Sequence, residues 1–245
     1  MRQRLSAAAH KALPHANPLS VAQMNTLVAF AEKTKPQTSL EIGCGAGSFS
    51  IALAKAMPHN AIAIDINPYM LDRARADAVK AGVAGSVKFL QRPAADYVCG
   101  PVDLAICIGA SGAYGTPRDC LSALASLVDI GGHIVFGELV WMARPSKDYL
   151  DLLGVSEATY WNVDETSSVL SAFGMSMVHE VVASPKAWAA YEASVFKGRL
   201  EFAETLSAQR ATEVVKEANT WYSQFQGEGR DVLGFSAVVA KRSAR

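Results

Sequence analysis

Apolar positions along the chain follow two rhythms that alternate from end to end. Short β-branched and aliphatic runs predict strands over 39–42, 61–66, 87–91, 102–108 and 133–139. Between them, apolar residues three and four apart predict helices over 49–57, 69–81 and 118–128. Strands alternating with helices in this way require a mostly parallel sheet covered on both faces, an α/β fold. The Gly131-Gly132 pair is read as the stop between the last of these helices and the next strand. Beyond Leu139 the rhythm breaks. The run "VWMARPSKDYLDLLGVSEATYW" is rich in aromatic residues and turn formers, and residues 138–166 are expected to form an insert that closes over the site as a lid. A strand over 175–183, one or two helices between 188 and 225, and a final strand over 232–240 complete the pattern. Residues 1–36 read as a helical arm, and 1–245 as a single domain.

Composition narrows the partners. The chain has 245 residues, 50% of them hydrophobic, enough to bury a full core. Its 23 Lys and Arg balance 23 Asp and Glu, and no long block of one sign occurs, so neither nucleic acid nor an anionic membrane is the expected partner. Small molecules are, with a homodimer left open. Cys44, Cys99, Cys107 and Cys120 form no C-x-x-C pair and read as reduced residues of a cytoplasmic protein. No apolar run approaches the ~20 residues that span a bilayer. The histidines are scattered without H-x-x-H spacing, so no metal site is expected.

The chemistry begins at "LEIGCGAGSF", where three glycines stand at alternate positions directly after a strand. Glycines there let the chain turn sharply and let a ligand approach the backbone without meeting a Cβ. The spacing is G-x-G-x-G rather than the G-x-G-x-x-G of dinucleotide sites, and Glu41 adds a negative charge that would repel a pyrophosphate but suits an ammonium or sulfonium group. At the end of the next strand, in "AIAIDINPYML", Asp65 is placed to accept both hydroxyls of a ribose. A plainer reading makes Asp65 the cap of the helix that starts near Pro68.

With these residues the chain resembles the class I S-adenosylmethionine-dependent methyltransferases. "LEIGCGAG" and "AIDINPYML" are similar to that family's first two motifs, "VDLAICIGASGAYG" to its fourth-strand motif and "LVDIGGHIVFGE" to the entry of its fifth strand. "HANPLS", "GELVW", "KAWAAYE" and "GRDVLGFSAVVAKR" resemble more narrowly a bacterial YjhP-like subgroup of small-molecule methyltransferases. The resemblance implies a Rossmann-like sheet of seven strands in the order 3-2-1-4-5-7-6, with strand 7 antiparallel. It implies S-adenosyl-L-methionine as cofactor at the strand ends, held by Glu41, Gly43, Cys44, Gly45, Asp65, Ile66, Ala94 and Ile108. Where the family has an acid for the adenine amino group, this chain has Pro93; Asp96 lies three residues on.

The acceptor side rests on fewer signals. Glu138, just past the fifth strand, is the expected base or orienting acid, and Tyr114 and Trp141 the expected aromatic lining, joined by Tyr160 and Trp161. Packing of a lid accounts for the rings equally well. His15 and Asn17 would close the arm over the cofactor, whereas His133 reads as core. Trp188, Tyr191 and Glu192 either belong to the site or form the packing face of a helix. No N/D-P-P-Y tetrapeptide follows Ile108, which disfavours DNA adenine methylation. Three functions remain: methyl transfer to a small molecule, attack at another carbon beside sulfur with release of methylthioadenosine, and cofactor binding without chemistry.

Overall fold

The computed structural model describes residues 1–244. Its centre is one seven-stranded sheet in the order β3-β2-β1-β4-β5-β7-β6. The strands are β1 (Thr38–Ile42), β2 (Asn60–Asp65), β3 (Val87–Gln91), β4 (Val102–Ile108), β5 (Val128–Trp141), β6 (Met175–Val182) and β7 (Leu233–Arg242). β7 runs antiparallel to both of its neighbours and the remaining pairs are parallel, as the resemblance implies. The inner strands show no alternation because both faces are covered: Leu104 to Cys107 of β4 are all fully buried.

Nine helices flank the sheet among the described residues, besides single-turn pieces. α1 (Arg2–Ala9), α2 (Val21–Lys33), α3 (Ser48–Ala56) and α4 (Pro68–Lys80) precede α5 (Pro117–Leu127), α6 (Lys147–Leu153) and α7 (Thr166–Ala172); α8 (Pro185–Ala203) and α9 (Ala208–Gln224) follow β6. Their starts are written locally. Ser20 with Gln23, and Thr116 with Asp119, form reciprocal capping boxes, and Pro68, Pro117 and Pro185 occupy first turns, where a missing N–H costs nothing. α2, α6 and α8 join α3 in packing Leu27, Tyr149, Trp188 and Phe49 against one face, whereas Leu121 and Leu124 of α5 and Leu170 of α7 cover the other.

Two expectations change. Gly131 and Gly132 do not precede β5 but lie inside it, in a bulge between the pairs Val102 with Val128 and Leu104 with His133. The strand also runs past Leu139, because β7 supplies partners as far as Leu233 opposite Trp141. Residues 138–141 therefore belong to the sheet, and the insert is confined to 142–166. The tryptophans at the start and near the end of this stretch are core residues: Trp141 of β5 and Trp161 of the insert are 2% and 3% exposed. Trp141 packs with Tyr149 and Trp188 on one face and gives its Nε1–H to the Glu157 carbonyl at 2.8 Å. Trp161 stacks beside Phe136 on the other. His133 is half-buried. No helix among the described residues is long and apolar enough to cross a membrane.

Candidate active site

β1 ends at Ile42 and the chain turns through Gly43 and Gly45, whose φ angles of +63° and +53° L side chains rarely adopt. A Cβ on Gly43 would stand 2.3 Å from that of Ala110, so the turn is pressed against the loop that follows β4. Asp65 locks the same turn from β2. One of its oxygens accepts the Gly45 N–H at 2.7 Å, the other the Asn67 N–H at 2.8 Å. The cap of α4 is Asn67, which accepts from Tyr69 and Met70, so the plainer reading of Asp65 fails.

Above the turn lies a cavity of about 420 Å³ at the C-terminal ends of β1, β2 and β4, a volume ordinary for a ligand site. Glu41, Gly43, Cys44 and Gly45 form one wall, and Asp65, Ile66 and Ile108 continue it. Glu41 is buried and accepts both the N–H and the hydroxyl of Ser50 at the start of α3. Loss of water raises its pKa to about 7 against the pull of the Ser50 bonds, and the nearby charge of Asp65 adds to the rise. A carboxyl poised there accommodates a cation by giving up its proton.

The opposite wall is the N-terminal arm. Arg2, Gln3, Ser6 and His10 line the cavity, together with Asn17 from the loop before α2 and Tyr191 from α8. The arm is clasped at three places. Gln3 Nε2 donates to the Ile66 carbonyl at 2.9 Å while its own carbonyl accepts from Asn67 Nδ2 at 2.9 Å. Arg73 of α4 donates to the carbonyls of His10, Lys11 and Leu13 at 2.9, 3.3 and 2.7 Å. Ala8 and Ala9 lie so near α8 that a Cβ on Gly198 would stand 2.7 Å from the Ala8 carbonyl oxygen. His10 completes the contact through Nε2, 3.0 Å from the Tyr191 hydroxyl. Burial lowers the His10 pKa.

The other expected residues lie elsewhere. Ala94 is buried in the core cluster with Leu40 and Cys107 and lines no part of this cavity. Pro93 and Asp96 are both exposed and also stand outside it. Glu138 faces the α5 side of the sheet near Ser111, where burial raises its pKa, and Tyr114 packs against that same core. Trp141 is sealed in the core, as above. Burial pushes the hydroxyls of Tyr114 and Tyr160 up to about 12. His15 is buried and bonded to the Leu19 carbonyl at 2.5 Å rather than turned to the cavity. Of the "KAWAAYE" residues, Trp188 and Glu192 pack inward, Glu192 accepting from Trp221 Nε1 at 2.8 Å, and only Tyr191 reaches the site. Arg2, Gln3, Ser6 and His10 belong to no local motif that would mark them in the sequence as lining this cavity.

Known proteins resemble this chain in sequence and in fold. Residues 40–132 match the family model of the methyltransferase domain. The chain is 26% identical to the protein YjhP of Escherichia coli (strain K12) over 85% of its own length and 87% of the relative's. The X-ray structure of YjhP from E. coli superposes with a TM-score of 0.89 at 23% identity, covering 99% of this chain and 100% of that one. A SAM-dependent methyltransferase from Thiobacillus denitrificans, crystallised with S-adenosyl-L-homocysteine, gives a TM-score of 0.86 at 24% identity over 98% of each chain. Over residues 40–132 the chain thus matches a methyltransferase domain, and over its whole length it is similar to YjhP and has the fold of the S-adenosylmethionine-dependent methyltransferases.

Proposed function

We propose that the cavity beneath the arm holds S-adenosylmethionine and that the acceptor is a small molecule which loses a proton as it is methylated. The observation that carries this reading is the meeting of two carboxylates, Glu41 and Asp65, with a glycine turn in one cavity at the strand ends. These residues fit the cofactor. The carboxylate of Asp65 accepts one backbone N–H on each oxygen, and when ionised it keeps lone pairs for a ribose diol. Glu41 offers the charge that complements an ammonium or a sulfonium. Gly43 and Gly45 supply the positive-φ turn that sets this stretch of backbone along the cavity wall.

When bound, S-adenosylmethionine supplies an electrophilic methyl group to an in-line nucleophile. The chain's part is to position, to exclude water and to move a proton. The arm and α8 do the excluding. His10 and Tyr191 are the groups at the cavity fitted to move the proton. The Ser6 carbonyl, 2.8 Å from His10 Nδ1, can only accept, so Nδ1 carries the hydrogen. Nε2 therefore presents its lone pair to the Tyr191 hydroxyl, which donates to it. The phenol oxygen is left to take a proton from an acceptor as its own passes to His10. Hydroxyl, phenol and amine acceptors need that service; a thioether does not.

The test is incubation with methyl-labelled S-adenosylmethionine and a panel of hydroxylated, phenolic and amine compounds, with mass identification of both products. S-adenosylhomocysteine and a labelled acceptor are expected. His10→Gln and Tyr191→Phe should depress transfer more than they weaken binding of S-adenosylhomocysteine. Methylthioadenosine as the nucleoside product, or transfer indifferent to both variants, would count against the reading.

A further inference from the structure

Placing the cofactor in this cavity leaves its base without the acid that the resemblance puts after β3, since no residue from 92 to 96 lines the cavity. Asp65 is linked through Asn67 to Gln3, which bonds Ile66, and the arm residues Arg2 and Ser6 line the same cavity. An exocyclic amino group is told from an oxo group only by an atom that accepts and cannot donate. Arg2 has donors alone. The Asn67 side chain is spent, its oxygen on Tyr69 and Met70 and its nitrogen on the Gln3 carbonyl. The Ile66 carbonyl takes Gln3 Nε2 at 2.9 Å and Gln91 Nε2 at 3.4 Å. Ser6 can rotate to donate or accept, so it serves an amino and an oxo group alike.

Gln3 differs from all of these. The Ile66 carbonyl it binds can only accept, which commits the amide nitrogen there and leaves Oε1 as the acceptor of a residue that lines the cavity. We propose that Gln3 Oε1 reads the amino group of the adenine base, so that the N-terminal arm, and not the loop after β3, selects an adenine-bearing cofactor. The assignment rests on the cofactor reading above and adds to it a residue for base specificity.

S-adenosylhomocysteine and S-inosylhomocysteine differ at the C6 edge of the base, amino group and bare N1 against oxo group and N1–H, and calorimetric titration of the full chain with each tests the idea. The wild type is expected to prefer the adenosyl compound by about ten-fold or more, the scale of one hydrogen bond set against an opposed acceptor. Gln3→Met should bring the ratio close to one. Gln3→Glu keeps an acceptor oxygen while losing the bond to Ile66, so it should weaken both ligands and keep the ratio. A wild-type ratio near one, or a wild-type ratio in Gln3→Met, overturns the assignment. So does a ratio lost equally in both variants, because the ligands would then sense only the docking of the arm. Failure of the wild type to bind S-adenosylhomocysteine at all overturns instead the cofactor reading beneath it.

Discussion

Glu41 is the residue at which burial and charge compete most directly. Its carboxyl is held near pH 7 by desolvation, so the folded chain keeps a proton that the unfolded chain sheds near the ordinary value of 4.5. Between those two values the native state binds more protons than the unfolded one. Stability should therefore fall as pH rises from about 4.5 to 7 and stay level above, a loss on the order of 3 kcal/mol from this group. Chemical denaturation across that range checks the slope, and Glu41→Gln should remove it. A cationic ligand reverses the balance by favouring the ionised form. Calorimetry at pH 7 in buffers of different ionisation enthalpy should show proton release when S-adenosylmethionine binds, absent at pH 9 and absent in Glu41→Gln. Asp65 illustrates a different point, since a helix-cap role and the proposed ligand role are indistinguishable in sequence. The structure removes the first, because Asn67 takes the cap.

Among the elements, the insert takes a core role in place of the lid expected of it, while the arm lines the cavity as one of its walls. The insert at 142–166 is stitched into both core layers: the Trp141 N–H donates to the Trp161 carbonyl at 2.9 Å, and each indole is buried. The arm is held mainly by hydrogen bonds at its edges, with Ala9 as the buried residue of α1. Elements joined by few buried apolar contacts open first. Arg73 is the principal clasp, three carbonyls on one guanidinium that Asp77 steadies at 3.4 Å. Arg73→Ala should speed hydrogen exchange across 2–9 by about ten-fold or more, the scale of losing hydrogen bonds to a charged group at a partly exposed site. It should raise the association and dissociation rates of S-adenosylhomocysteine together, with exchange in β4 unchanged. Equal exchange across 2–9 in the variant and the wild type would show that the arm is held by other contacts.

For the molecule as a whole, Trp141 shows how sheet and cover depend on each other. Its backbone closes the end of β5, its ring meets Tyr160 edge-on at 5.4 Å, and its indole nitrogen ties down the insert. Trp141→Ala should cost about 3–5 kcal/mol by the cavity it leaves, read as a lowered denaturation midpoint, while S-adenosylhomocysteine affinity of the folded fraction is kept. Much of this architecture was legible in the chain. Strands, helices, the glycine turn and Asp65 announce themselves because each depends on neighbours a few residues away, through side-chain period, caps and the freedom of glycine at positive φ. Even the order of the strands followed once the motifs were recognised in sequence order. The extension of β5 to Trp141 was not legible, since it needs β7 as a partner. Nor was the roof of the site. Gln3 meets Ile66 across 63 positions and His10 meets Tyr191 across 181, and no local period links such pairs. Which carboxylates share a cavity, which tryptophans are core, and which polar atoms remain free for a ligand were decided only when packing used up the alternatives.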